Sequence, residues 1–169
     1  MMVLLVVVVA AVYQDVKSYK IPNGLIVTGW ISSFILQVMI NGIQGIGYWC
    51  FGSSIPIIVT YVLFYFKMLG AGDIKLLSVI GGMCGIGFLK SVLFVSLLVG
   101  AVLSLMQMLR WKQLQIRFLY FFKYVTEIIE TKQYVPYYEP ERDGTKCVIR
   151  YSIPIGIATM ICLIQQFFC

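Results

Sequence analysis

The chain has 169 residues, of which 60% are hydrophobic and 12% are charged, and its mean hydropathy is +0.92. A soluble domain is typically about 45–50% apolar and about 25% charged, so this composition indicates a polytopic membrane protein. The net charge of +6 does not indicate nucleic-acid binding, because the basic residues lie between apolar runs and not on a polar domain. The chain has no histidine, and its five cysteines form no C-x-x-C pair, which argues against a zinc or thiol-redox site.

Six apolar runs are candidates for membrane-spanning helices, each of which needs about 20 apolar residues. The first and fourth runs are short, and the fourth is rich in glycine. We therefore predict an all-α protein with about six transmembrane helices that form a single membrane domain over residues 1–169. The six runs cover residues 1–13, 24–40, 47–66, 74–86, 89–109 and 151–168.

The first apolar run has an alternative interpretation as a signal peptide, with Ala10 and Ala11 as the candidate cleavage site. A signal peptide carries its positive charge before the apolar run. Here no Lys or Arg precedes the run, whereas Lys17 and Lys20 follow it. We therefore expect the run to stay in the protein as its first helix.

The distribution of Lys and Arg predicts that the N-terminus lies on the outer side of the membrane. In this orientation every Lys and Arg except Lys90 lies on the inner side, as the positive-inside rule requires. All seven acidic residues also lie on the inner side. The two ends of the chain are then both outside, and residues 110–150 form a long cytoplasmic loop.

This cytoplasmic loop contains apolar residues at helical spacing between positions 111 and 128. The spacing predicts an amphipathic helix on the cytoplasmic membrane surface, with a continuation of the fifth span into water as the alternative. Three acidic residues follow in the loop, and they would either attract a basic peptide or simply be solvated. These residues are Glu139, Glu141 and Asp143.

Asp15 and Asp73 are the only carboxylates before Glu127. Asp15 follows the first predicted span and Asp73 begins the fourth, so both lie at the inner end of the predicted bundle. Taken singly, Asp73 fits a helix N-cap and Asp15 fits a solvated loop residue. Asp15, however, follows the C-terminal end of a helix, where the helix dipole disfavours negative charge by about 0.3–1 kcal/mol. We therefore predict that the two aspartates belong to one site.

Two further segments adjoin these aspartates. In the stretch GAGDIKLL, Gly70 and Gly72 precede Asp73, where they permit unusual backbone angles and the close approach of another segment. Ordinary small-residue packing between membrane helices is the alternative. In the stretch DVKSYKIPN, Pro22 and Asn23 follow the first aspartate and predict the start of the second helix.

These motifs resemble those of the type IV prepilin peptidases, the bacterial members of the GxGD membrane aspartyl proteases. The resemblance rests on Asp15 with the following IPN, on GAGDIKLL around Asp73, and on IPIG at 153–156. The last motif is similar to the start of the final span in the short, tight-adherence-pilus type. The resemblance covers most of residues 10–90 and this C-terminal piece. It implies that Asp15 and Asp73 are the catalytic dyad and that Gly70 and Gly72 shape the loop around it.

The resemblance also implies the substrate and the cellular location. The substrate would be a prepilin-like protein, cleaved after a glycine at the cytoplasmic face of the cell membrane, with its basic leader in the cytoplasm and its apolar stalk in the bilayer. The long form of the family has an N-terminal cytoplasmic part with paired cysteines that accompanies N-methylation. This sequence begins directly in its first span, so we expect peptidase activity without methyltransferase activity. Neither a metal nor an organic cofactor is indicated.

Amide hydrolysis by two carboxylates needs one ionised group to take a proton from water and one protonated group to polarise the scissile carbonyl. Two carboxylates a few ångströms apart hold one proton between them. Helix position favours Asp73, at a helix N-terminus, as the base and Asp15 as the acid. Lys75 would orient the substrate, stabilise ionised Asp73 or serve as a positive-inside anchor.

Two other classes of protein remain open at this point. A small proton-coupled transporter would use the same two aspartates as a relay, but it predicts acids near the bilayer midplane, whereas both aspartates lie at span ends. A structural assembly subunit would have no use for the glycine–aspartate stretch. The oligomeric state does not follow from the sequence.

Overall fold

The structure, a computed structural model, describes residues 2–18, 21–65, 69–110 and 150–168. Every element in these ranges is an α-helix, which confirms the predicted all-α fold for this part of the chain. In chain order, the helices are α1 (Met2–Ser18), α2 (Asn23–Asn41), α3 (Gln44–Tyr65), α4 (Ala71–Arg110) and α5 (Ser152–Phe168). The predicted amphipathic helix and the acidic residues after it lie outside the described residues.

The chain divides into two compact units. The first comprises Met1–Val99 together with Arg150–Cys169, and the second comprises Gly100–Ile149. The described part of the second unit is 100–110, the last turns of α4. The prediction of one domain over 1–169 stays a prediction, and the site described below lies within the first unit.

Two described helices are long and apolar enough to cross a membrane, namely Asn23–Asn41 and the segment Ala71–Gln107 of α4. Helix α5 is apolar but shorter. Helices α2, α3 and α5 begin and end close to the predicted spans 24–40, 47–66 and 151–168. The number of membrane crossings and the outer position of the N-terminus stay predictions.

Helix α4 is interrupted at Gly85, where φ is 81° and ψ is 173°. This backbone conformation is accessible almost only to glycine. A Cβ atom placed on Gly81 would lie 3.1 Å from Cδ2 of Leu89. Because residues eight apart in a straight helix are about 12 Å apart, the chain must turn sharply between these two residues. Helix α4 therefore consists of a first arm, 71–84, and a second arm, 86–110.

The two arms correspond to the predicted fourth and fifth spans. The predicted gap between those spans, at residues 87–88, was wrong, because the helix breaks earlier, at Gly85. The first arm has side chains that are fully buried on several faces, including Leu76, Leu77 and Ile80. They pack in one cluster with buried residues of α1, α2 and α5. The first arm is thus the central element of its unit, and Asp73 lies near its start.

Polar side chains fix the first arm of α4 to α2. Trp30 Nε1 donates a hydrogen bond to Ser78 Oγ at 2.7 Å, and Gln37 Nε2 donates one to the Met83 carbonyl oxygen at 3.0 Å. Among the described residues, no buried side-chain nitrogen or oxygen lacks a hydrogen-bond partner. These bonds matter because an unpaired polar group in apolar surroundings is costly. They hold the arm that carries Asp73 in one position relative to α2.

Glycines bring α3 into backbone contact with the same arm. A Cβ atom on Gly52 would lie 2.3 Å from the carbonyl oxygen of Gly81, and a Cβ atom on Gly81 would lie 2.3 Å from the carbonyl oxygen of Gly52. Any larger residue at either position would push the two helices apart. This is the small-residue packing typical of helices in membranes.

Candidate active site

Four helix ends meet at one end of the bundle. Ile21, directly before α2, packs against Gly72 at the start of α4. Ser152, the first residue of α5, donates a hydrogen bond to Asp15 in the last turn of α1. The end of α1 and the starts of α2, α4 and α5 are therefore neighbours, although they lie far apart in the sequence.

Asp73 lies in the first turn of α4. The Gly70 carbonyl oxygen accepts hydrogen bonds from the backbone N–H groups of Asp73 at 3.1 Å and Ile74 at 3.3 Å, which opens the helix. In return, the Gly70 N–H donates to Asp73 Oδ2 at 3.3 Å. An acidic residue in the third helical position makes this same contact in a capping box. Asp73 therefore caps the start of α4 from the third helical position, whereas Gly70 and not Asp73 is the N-cap residue.

Asp15 lies in the last turn of α1, which continues to Ser18. A negative charge is unfavourable there, and residues at the start of α5 offset this. The Ser152 hydroxyl donates to Asp15 Oδ2. Arg150 Nη1 donates to the Val16 carbonyl oxygen at 3.0 Å, so a cation satisfies one of the last carbonyls of α1.

The structure brings Asp15 and Asp73 together. Both side chains are half-buried, and Asp73 lies close enough to Asp15 to feel the repulsion of its negative charge. Partial burial strengthens this repulsion, because less water screens the two groups than at an open surface. The end of the bundle therefore contains two interacting carboxyl groups contributed by different helices.

Gly70 and Gly72 matter because they have no side chain, and not because they adopt unusual backbone angles. The described glycines with positive φ lie elsewhere in the chain, so that part of the sequence-based expectation was wrong. A Cβ atom on Gly70 would lie 3.1 Å from Asp73 Oδ2, and one on Gly72 would lie 3.3 Å from Cδ1 of Ile21. The close approach of another segment that the sequence predicted is therefore present at Gly72, whereas the atom nearest to Gly70 belongs to Asp73 of the same segment.

The segments IPN and GAGDIK touch each other directly. Pro22 occupies the N-cap position of α2 in an extended conformation, and Asn23 is the first helical residue, as expected for a helix start. Lys75 Nζ donates a hydrogen bond to Asn23 Oδ1 at 2.9 Å. Lys75 thus links the starts of α2 and α4, a role that the sequence alone did not indicate.

Sequence reasoning missed three consecutive residues that precede the IPIG motif. Arg150 and Ser152 make the contacts with α1 described above, and Ser152 is fully buried. Tyr151 lies between them in the sequence, and its hydroxyl oxygen is 3.0 Å from Ser96 Oγ. The same hydroxyl group interacts electrostatically with Asp73. One signal was available: polar residues at the start of the last span share the predicted inner face with both aspartates.

These features define a helical protein with paired aspartates and a glycine-containing helix start at one end of its bundle. A model of the type IV leader peptidase family matches residues 2–105, which is more than half of the chain. The chain belongs to this family, and it is therefore a protease and a membrane protein. No curated protein and no solved structure shows significant similarity to it. The matched range includes both aspartates but not α5.

Proposed function

We propose that this protein is an aspartic endopeptidase that cleaves the leader peptide of type IV prepilin-like proteins at the cytoplasmic membrane face. Asp15 and Asp73 are the catalytic pair, and the nucleophile is a water molecule. The observation that carries the proposal is the proximity of these two half-buried carboxyl groups, in a chain that belongs to a leader peptidase family.

The chemistry follows from the repulsion between the two groups. Two carboxyl groups that repel each other favour the state in which one is ionised and the other is protonated. The ionised group takes a proton from water as the water oxygen attacks the scissile carbonyl carbon. The protonated group donates its proton to the carbonyl oxygen, which stabilises the tetrahedral intermediate. Collapse of the intermediate breaks the C–N bond, and a proton passes to the leaving nitrogen.

The distribution of charge supports a cytoplasmic location of the site. Lys17 follows Asp15 on α1, Lys75 lies beside Asn23, and Arg150 contacts the end of α1. Three basic residues therefore lie at the same end of the bundle as the aspartates, and basic residues favour the cytoplasmic side. A substrate whose leader remains in the cytoplasm would meet the pair there.

An apolar groove supports a substrate with an apolar segment next to the scissile bond. The groove has a volume of about 440 Å³ and lies between α1 and α5. Tyr13 and Ile153 line it next to Asp15 and Ser152, and Ile164 lines it farther along α5. An apolar stretch that continues from the cleavage site would bury its side chains in this groove, as the stalk of a prepilin-like protein would.

The test uses a substrate in which a basic leader ending in glycine precedes an apolar helix, mixed with the purified protein in detergent. We expect Asp15→Asn and Asp73→Asn each to lower the cleavage rate by about 10³-fold or more, because the pair acts as a unit. Glu130→Gln, the same acid-to-amide change at a residue to which the proposal gives no part in catalysis, is the matched control. Cleavage that survives either aspartate substitution would refute the proposed pair.

The same variants separate the protease from the proton-coupled transporter. A transporter would carry protons across vesicle membranes in a manner that depends on both aspartates, and it would leave the substrate intact. We expect the opposite result, with cleavage that depends on the aspartates and no proton flux above that of empty vesicles.

A further inference from the structure

Three consecutive residues before and at the start of α5 make side-chain contacts with the end of α1 and with the second arm of α4. Arg150 bonds the carbonyl oxygen of Val16 at the end of α1. Tyr151 pairs with Ser96 in the second arm of α4, and Ser152 donates to Asp15. Each contact joins residues more than fifty positions apart, so the three-residue segment ties α1 and α4 to the start of α5.

The direction of the bond between Tyr151 and Ser96 can be assigned from a neighbouring contact. Ser96 Oγ donates its proton to the Leu93 carbonyl oxygen at 2.9 Å. The Tyr151 hydroxyl is therefore the donor in the 3.0 Å contact with Ser96 Oγ. Ser96 is fully buried, so no bulk water competes for this bond. The bond holds Tyr151 in place, and with it the adjacent Ser152.

We infer that Ser152 is a positioning residue, which orients the Asp15 carboxylate and keeps it ionised so that the shared proton rests on Asp73. The Tyr151–Ser96 pair is the brace that holds Ser152 in position. This inference rests on the proposed function, and it adds the assignment of the base and the acid. Asp15 becomes the base and Asp73 the acid, the reverse of the assignment that helix position suggested.

The contacts of the two aspartates differ in a way that supports this assignment. Asp15 accepts a hydrogen bond from the fully buried hydroxyl of Ser152. The guanidinium group of Arg150 donates to the carbonyl oxygen of the next residue, Val16. Asp73 accepts a longer bond of 3.3 Å from the backbone N–H of Gly70. A hydrogen bond donated to a carboxylate stabilises its charge, and a buried donor does so more strongly because less water competes for the bond.

The other charged groups around the pair do not offset this difference. Lys17 lies two residues beyond Asp15 on α1, and its side chain is exposed. Lys75 lies two residues beyond Asp73, but its ammonium group is bonded to Asn23. The electrostatic balance between the two carboxyl groups therefore depends mainly on the segment that carries Ser152.

The test is the pH–rate profile of Ser152→Ala, compared with Thr159→Val. Thr159 is a matched control, since it is also fully buried in α5, but its hydroxyl donates to the Ile155 carbonyl oxygen of its own helix. Without the Ser152 donor, Asp15 takes up a proton more readily, so the base is lost at a higher pH. We expect the acidic limb of the profile to move upward by about one pH unit and kcat to fall about tenfold with little change in KM. The control should leave the limb in place.

Two further variants keep the test decisive if the alanine variant does not fold. Ser152→Thr keeps the hydroxyl and should keep the acidic limb where it is in the unaltered protein. Tyr151→Phe removes the brace and should move the limb in the same direction by a smaller amount. An acidic limb that stays in place in folded Ser152→Ala, or in Tyr151→Phe, overturns the inference. If Asp15→Asn is inactive in the same assay, the proposed function stands even when the inference fails.

Discussion

Lys75 of α4 donates a hydrogen bond to Asn23 of α2 at 2.9 Å, so the two sequence motifs of the protein are joined by a direct contact. Beside this bond, Ile21 packs against Gly72. The start of α4, which carries Asp73, is therefore held by the start of α2 through one polar and one apolar contact. Residues that do not touch the aspartates thus determine where Asp73 lies.

We expect Lys75→Met and Asn23→Ala each to lower kcat/KM for leader cleavage about threefold, and the double variant to be no worse than either single variant. The reason is that both changes remove the same bond, and a hydrogen bond of this kind is worth about 0.5–1.5 kcal/mol. The measurement is a double-mutant cycle on kcat/KM. Lys90→Met, which removes an exposed lysine on the other side of the break in α4, is the control. Additive losses would show that Lys75 acts on the substrate instead.

The two glycines of GAGD should respond differently to alanine. At Gly70 the new methyl group would lie 3.1 Å from the Asp73 carboxylate oxygen, whereas at Gly72 it would meet the flexible Ile21 side chain at 3.3 Å. We expect Gly70→Ala to lower kcat about tenfold and Gly72→Ala to lower it about twofold, because a misplaced reacting group is costly and a side chain can rearrange. Gly87→Ala, where a Cβ atom meets nothing within 4 Å, is the control. Equal losses at Gly70 and Gly87 would contradict this explanation.

Several features of the fold and the site were accessible from the sequence. Apolar runs predicted the helices α2, α3 and α5 closely, because a membrane helix needs a continuous apolar stretch. The distribution of Lys and Arg placed Asp15 and Asp73 at one end of the bundle, and the structure has them there. These two predictions depend only on local composition and on chain order, which a single sequence contains.

The rest depends on tertiary contacts that leave no periodic signal. A serine before an apolar helix is common, and nothing in the sequence indicates that Ser152 meets Asp15 across the bundle. The same holds for the bond between Lys75 and Asn23. The break in α4 was misplaced because several glycines lie close together in this region, and the one that takes a positive φ is selected by packing around it.

Gly85 should be sensitive to alanine for a reason that concerns the backbone. A Cβ atom there would meet no neighbour within 4 Å, but φ is 81° and ψ is 173°. For a residue with a side chain this conformation costs about 1–3 kcal/mol. We expect Gly85→Ala to lower the thermal midpoint in detergent by several degrees, while Gly87→Ala, two residues later, leaves it unchanged. A midpoint for Gly85→Ala that equals that of Gly87→Ala would show that the helix breaks elsewhere.

The packing of α5 on α1 depends on the close contact between Gly156 and Val12. A Cβ atom on Gly156 would lie 2.9 Å from Cγ2 of Val12, too close for a real contact. Valine has few alternative rotamers in a helix, so Gly156→Ala should push the two helices apart and not merely turn a side chain. This displacement would stretch the bond between Ser152 and Asp15, and we expect kcat to fall about fivefold.

A substitution at Val12 tests whether this contact explains the loss. Val12→Ala removes the methyl group that Gly156→Ala would strike, and by itself it should lower the thermal midpoint in detergent because it leaves a gap of about two methyl groups. We expect the double variant to have the cleavage rate of Val12→Ala alone, since the methyl group added at Gly156 enters space that the two methyl groups removed from Val12 have left. Rates measured under saturating substrate, together with thermal midpoints for all four proteins, check this. A double variant as slow as the product of the two single losses would mean that Gly156 affects cleavage by some route other than its contact with Val12.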